Sequence, residues 1–419
     1  MSYKAFAVPI LLAIIALFSF SSALGNQKDD STKVKIDLHG FVSTQLFADS
    51  RQIVEAREHM LSLYPKKRDF DADGNDMNAG GDFNQLSMTS RLRFTMRGPL
   101  VLGAKPLAVI EGDFTGASNF ENNSLRLREA YIQLQWEHIA VLAGQYWHPI
   151  NTIECRPLVF NLNTGAPFHP FSRHNQIRIT FTANKLKLIA VAASQRDFVS
   201  SGPQGASSVY MRDAKLPNLH LQLQYQTTNF IMGAGADYKK IKPEKTTIFN
   251  ERQYVSDAIV NSFSAIVFGK YEQNYWTVKT AALYGQNLSE HLMLGGYYEH
   301  SIDSVSHTKE FAATPLFSVW TQILRQHKNW NFSVFAGYTE NLPYNKTQAV
   351  SGIFYGRNDD IKSVSRIMPR ASYRTGAFEL GAEMEYTVAI YGTKDNKSYF
   401  TNKQTVKNAR LLLSASYFF

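Results

Sequence analysis

Arginines set two residues apart pose the first chemical question. Arg91, Arg93 and Arg97 alternate with Leu92, Phe94 and Met96, and Arg126 and Arg128 with Leu125 and Leu127. Arg178 stands between Ile177 and Ile179, and Arg366 and Arg370 oppose Ile367 and Pro369. Successive side chains of a strand point to opposite faces. Each run therefore puts guanidinium groups on one face and apolar groups on the other. An arginine turned to lipid costs about 2–4 kcal/mol at the bilayer midplane, so the arginines are expected to face inward. Rings of arginine in a channel favour anions through planar hydrogen-bonding forks and a long-range field. Glu111, Asp113, Glu379, Glu383 and Glu385 are expected across the channel, as the negative side of a transverse field. Plain pairing of Arg with Glu along a solvated wall explains the same letters; the net charge of +9, from 44 Lys+Arg against 35 Asp+Glu, tips the reading toward anions. Tyr131, Gln133 and Gln135 keep the opposite phase from Arg126 and Arg128, which predicts a bulge near Glu129.

Two loop segments carry further titratable groups. Residues 149–174 contain Glu154, Arg156, His169 and Arg173, stiffened by Pro149, Pro157, Pro167 and Pro170. Cys155 is the chain's one cysteine, so it has no intrachain partner and reads as an inert thiol. Asp69, Asp71, Asp73, Asn75 and Asp76, with Gly74, match the first half of a calcium loop. Gly80 stands where the bidentate Glu belongs, and an Asp/Asn/Gly turn explains the same spacing and is favoured. Cofactors are otherwise expected to be none. Ile53, Val54, Arg57, Met60, Leu61 and Tyr64 recur at helical spacing, which predicts a short surface helix over 51–64 touching a neighbouring protomer.

The elements that must position these groups are strands. Period-two alternation recurs along the chain, as in Leu219, Leu221, Leu223 and Tyr225 against His220, Gln222, Gln224 and Gln226. Sixteen segments result: 33–47, 85–97, 104–113, 125–136, 138–148, 175–184, 185–195, 218–227, 229–239, 253–270, 275–287, 315–326, 330–340, 363–374, 377–391 and 406–419. Connections after even-numbered segments are short, and those after odd-numbered ones are longer. That parity, with an even count, is the pattern of an all-β, 16-stranded antiparallel transmembrane β-barrel with short periplasmic turns and long extracellular loops. In hydrocarbon every backbone amide must be paired, so such a sheet closes on itself. Only its outer face need be apolar, which reconciles a mean hydropathy of −0.25 with a membrane. Trp136, Tyr275, Trp276, Trp330 and Tyr373 sit beside short turns, where an interfacial aromatic girdle belongs.

Lys4, an uncharged run over 5–20 and the small residues Ser21, Ser22, Ala23 and Gly25 read as a signal peptide over 1–25, leaving a barrel over 26–419. Alternation up to Tyr417 and Phe419 reads as the C-terminal strand that outer-membrane assembly machinery recognises.

The chain resembles the bacterial trimeric porins, and among them the DcaP-like porins. The residues that carry the resemblance are Gly40-Phe41-Val42, Arg91-Leu92-Arg93-Phe94, Val109-Ile110-Glu111-Gly112-Asp113-Phe114, Leu125-Arg126-Leu127-Arg128-Glu129-Ala130-Tyr131 and Gly144-Gln145-Tyr146-Trp147. The family implies a homotrimer and passive diffusion of small hydrophilic, often anionic solutes. It also implies that the loop after the fifth strand, here 149–174, folds into the barrel as a constriction; an external loop without a pore role fits the letters too. The N-terminal coiled coil that members can carry has no counterpart ahead of the first strand. The first loop covers 48–84. Expected partners are outer-membrane lipids, two further copies of the chain, the assembly machinery and small solutes, with no nucleic acid.

Other function classes leave no motif: HExxH, GxSxG, a Walker A loop and GxGxxG are all absent. The chain is therefore not expected to be an enzyme. An outer-membrane barrel enzyme of the lipase or protease type and a plugged barrel acting as an adhesin remain the alternatives.

Overall fold

The computed structural model describes residues 33–303, 305, 307–344, 353–395 and 398–419; the signal peptide expected over 1–25 lies outside them. Sixteen strands form the main sheet: β1 (Lys35–Asp49), β2 (Asp82–Leu86 continued by Arg91–Arg97), β3 (Lys105–Asp113), β4 (Arg126–Gln135), β5 (Ile139–Trp147), β6 (Arg173–Ala183), β7 (Leu186–Gln195), β8 (Asn218–Gln226), β9 (Phe230–Ile241), β10 (Val260–Gln273), β11 (Trp276–Gln286), β12 (Pro315–His327), β13 (Trp330–Asn341), β14 (Ile361–Thr375), β15 (Phe378–Lys394) and β16 (Phe400–Phe418). Each pairs antiparallel with its neighbours in sequence, and β1 pairs with β16 from Phe41↔Phe418 to Asp49↔Arg410. The sheet is thus a closed barrel without a free edge. Among the described residues no helix is long and apolar enough to cross a membrane.

Alternation sorts the two faces sharply. On β8, Leu221 is 55% exposed and the adjacent Gln222 only 2%. Phe94, Ile132, Ile177, Met232, Val334, Ile367, Leu380 and Leu413 join the outer face, a continuous apolar belt. At one end of the barrel the turns are short. Asn184, Asn274, Lys328 and Gly376 take left-handed backbone conformations there, as two-residue hairpin turns require. Beside those turns Tyr275, Trp276, Trp330 and Tyr373 point outward, Trp330 lying 5.2 Å from Tyr373, and Trp136 Nε1 donates to Leu102 O at 3.0 Å. The aromatic girdle therefore stands where expected.

The core lies inside the ring. Phe47, Leu63, Tyr64, Trp147, Phe168, Phe171, Trp320 and Phe335 are buried in one cluster that joins the barrel wall to two loops. The helix expected over 51–64 is instead a hairpin, Ile53–Ala56 against Leu61–Pro65. Arg57, Glu58 and His59 make its turn with φ of 60°, 54° and 64°. Leu61, Ser62, Leu63, Tyr64 and Pro65 are all buried, because the hairpin folds into the lumen and is covered on both faces. Helical spacing of its apolar residues had no single outer face to report, and the hairpin does not lie on the surface toward a neighbour.

Candidate functional site

The segment between β5 and β6 crosses the lumen. Two 3-10 turns open it, Pro149–Asn151 and Ile153–Cys155. Beyond them it reaches the far wall. Leu158 N donates to Gln322 Oε1 and Gln322 Nε2 to Leu158 O, both at 2.8 Å. Phe160 N and Asn161 N donate to the Glu383 carboxylate at 2.8 and 3.0 Å, and Gln45 Nε2 donates to Phe160 O at 3.0 Å. Ser318 Oγ donates to Phe168 O at 2.9 Å. The segment is therefore fastened to β1, β12 and β15, on the side opposite its origin. The first-loop hairpin joins it there, Asn163 Nδ2 donating to Ser62 O at 2.8 Å.

A charged ladder occupies the wall from β2 to β4. Register places Arg91 opposite Asp113 and Arg93 opposite Glu111. Arg93 Nη1 reaches Glu111 at 2.8 Å and Glu129 at 2.9 Å. Asp113 accepts from Arg126 at 2.8 Å and Arg128 at 2.7 Å, and Arg128 Nε also donates to Glu111 at 2.8 Å. One residue of β4 is extra: Glu111 faces Glu129 while Gly112 faces Leu127. The bulge at Arg128 brings Arg126, Arg128 and Glu129 all to the inner face, and it restores the phase that turns Tyr131 inward.

This corrects the transverse field. Glu111 and Asp113 do not stand across the lumen from the arginines; they sit on the adjacent strand and neutralise them directly. Across the barrel the same holds. Arg370 Nη2 lies 3.1 Å from Glu379, and Arg366 Nη1 3.4 Å from Glu385. Arg366 also donates to Ala166 O and to Leu63 O, so it pins both in-folded loops, while Arg370 lies under the Phe160 ring at 3.9 Å. Side-chain exposure of 23% for Arg91, 31% for Arg93 and 57% for Arg97 separates them from the sealed Arg126, Arg128, Arg366 and Arg370. Arg97 pairs with Asp37 at 2.6 Å beside a short turn.

Of the loop residues, Glu154 and Arg156 face the remaining space. Glu154 lies 3.7 Å from Lys187 of β7. Arg156 O accepts from Lys279 of β11 at 3.1 Å. Arg178 stacks on Tyr146 at 4.9 Å and donates to Trp147 O at 2.8 Å. Two expectations are corrected here. Arg173 is the first residue of β6 and is fully buried, tied to Asp197 at 2.6 Å and stacked on Trp147 at 4.5 Å. His169 is buried edge-on against Trp320 at 5.4 Å. Both pack beneath the segment because its apolar residues turn toward the wall. Burial pushes the Cys155 thiol up to about 12, which keeps it protonated and unreactive. Lys187, Lys279 and Asp197 belong to the site without having stood out in sequence, since each is a single charge with no repeat around it.

In the Asp69–Asp76 loop the oxygens of Asp71 and Asp76 are taken up by nearby backbone N–H groups and by Asn75 and Arg51. Asp71 Oδ1 accepts from Asp73 N at 2.9 Å and Asn75 N at 2.8 Å, and Asp76 takes Arg51 Nη1 at 2.7 Å. The Arg51 hydrogen bond holds the Asp76 carboxyl down to about 2. This is the geometry of an Asx turn.

No family model matches the sequence, and no curated protein matches it. Solved structures do. The outer-membrane channel DcaP of Acinetobacter baumannii is 16% identical, with 94% of this chain and 100% of that one covered at a TM-score of 0.67. OmpT of Vibrio cholerae is 11% identical over 94% and 100% at 0.55, and an anion-selective porin from Comamonas acidovorans is 9% identical over 92% and 100% at 0.56. The fold is the porin fold. At these identities the likeness speaks for architecture, and what the inner wall does must come from its own side chains.

Proposed function

We propose that the chain is a DcaP-like porin of the bacterial outer membrane, through which small hydrophilic solutes, anions foremost, diffuse passively. The observation that carries the anion preference is a charge imbalance at the in-folded segment. Among the described residues Arg156, Arg178 and Lys279 have no carboxylate within 4.0 Å, whereas Glu111 and Asp113 of β3 and Glu379 and Glu385 of β15 are matched by arginine, and Glu383 is taken up by the backbone N–H groups of Phe160 and Asn161. Unpaired cations facing a narrow space attract anions and repel cations. A homotrimer fits the same reading, one solved structure of this fold being described as a trimer form. Export by residues 1–25 and delivery by assembly machinery that grips Tyr417 and Phe419 complete it. No step of this function requires catalysis.

Planar-bilayer recording of the folded protein tests the proposal. Stepwise conductance, grouped in threes, and a reversal potential of anion sign in a salt gradient are expected. Arg156→Glu combined with Arg178→Glu is expected to move that potential toward cations. A folded protein that never conducts overturns the channel, and a cation-selective wild type overturns the role given to these side chains.

A further inference from the structure

Four histidines converge where the in-folded segment meets the wall. His148 immediately precedes the segment, His174 is the second residue of β6 just after it, His291 lies in the loop between β11 and β12, and His220 stands behind them on β8. The ring centres of His148 and His174 are 4.9 Å apart, those of His148 and His291 4.9 Å, and those of His174 and His291 5.5 Å. The three rings are 0%, 1% and 1% exposed. Among the described residues neither nitrogen of His174 has a hydrogen-bond partner, nor does Nδ1 of His291. Buried polar nitrogens without partners are costly and rare.

We propose that His148, His174 and His291 bind one divalent transition-metal ion of the zinc class. A metal–nitrogen bond of about 2.0–2.1 Å in tetrahedral geometry sets imidazole centres roughly 5 Å apart, the spacing observed. Imidazole sets suit zinc, copper and nickel and reject calcium. The outer groups fit as well. His148 Nε2 meets Asn218 Oδ1 and lies 3.5 Å from Asp237 Oδ2, an orienting carboxylate that leaves Nδ1 as the donor. Among the described residues Nδ1 accepts one hydrogen bond, a long one from Ile150 N at 3.4 Å, which ligation would replace. His220 is engaged by Asp237 and Gln222, both at 3.2 Å, so it acts as a support. Lys239 is the nearby cation, and Glu290 Oε1 and Asn287 O hold its ammonium.

No three donor atoms of this set lie within 4.8 Å of one another, so ligation turns the rings about Cβ–Cγ, a motion that leaves their centres in place. Asp49, His59 and Asp82 do approach that closely, but His59 Nδ1 is 2.9 Å from Asp82, and Arg410 and Asn408 hold Asp49. An ion on His148, His174 and His291 would clasp both ends of the crossing segment to the β11–β12 loop, where Phe171 N already donates to His291 O at 2.9 Å.

The full folded protein, stripped with EDTA and titrated with zinc chloride by calorimetry, tests the site. One zinc per protomer is expected, with no heat from calcium chloride. His174→Gln and His291→Gln are expected to weaken zinc binding at least about tenfold, and His169→Gln to leave it unchanged. Absence of saturable zinc binding, or equal binding by His174→Gln and His291→Gln, overturns the proposal. Should those variants fail to fold, zinc-edge X-ray absorption of the wild type decides: a shell of three imidazoles supports the site, and an oxygen-only shell overturns it.

Discussion

At Asp113 one carboxylate holds two arginines. It is wholly buried, takes Arg126 and Arg128 at 2.8 and 2.7 Å, and accepts the Thr115 hydroxyl at 2.9 Å. Removing one member of such a group strands the others in a dry site, at about 3–5 kcal/mol. Asp113→Asn keeps the shape and deletes the charge, so denaturant unfolding in detergent is expected to show a loss of that order. Thr115→Ala, which spares the charges, is expected to cost about 1 kcal/mol. A midpoint unmoved by Asp113→Asn would mean that water reaches the network freely. Alternation in the sequence shows that Arg91, Arg93, Arg126 and Arg128 face inward. It cannot show that Arg93 meets Glu111, because spacing within a strand gives the face and register between strands gives the partner. The histidine group was less legible still: His148, His174, His220 and His291 meet only through four separate elements.

At the scale of elements the bulge in β4 was legible, since two arginines and the Tyr131 series cannot share a phase without an inserted residue. Its counterpart was not. Gly144 on β5 pairs with Tyr131, just past the bulge, with φ of 132°, and a Cβ there would come within 2.2 Å of Ala130 O. Gly144→Ala is expected to lower the folded fraction sharply, read as heat-modifiable mobility on a gel. Gly98→Ala, where the nearest atoms are 3.8 Å away, is expected to fold normally. Equal yields would show that β4 and β5 separate without cost. The first-loop hairpin is illegible in the sequence for a different reason. Periodicity detects a boundary between water and core, and a segment buried on both faces has none.

For the whole molecule the outer belt decides the solvent. Leu221 is exposed on that belt, while Thr180 of β6 belongs to the inward series of Arg178. Leu221→Arg is expected to destabilise the barrel in lipid vesicles by about 2–4 kcal/mol, and Thr180→Arg to change little. Equal effects would put water on both faces. Architecture was the most legible level of all, because loop parity and two-residue alternation survive errors of several residues at each boundary. What fills the interior was the least legible, since loops carry no period.

The seam between β1 and β16 has a kinetic consequence. It joins residues almost a full chain length apart, Phe41 to Phe418, and contacts so remote in sequence form slowly. Until they form, two strands bear naked amide edges open to any stray partner. The slowest and most hazardous moment in the life of this protein is therefore the instant before it becomes a ring.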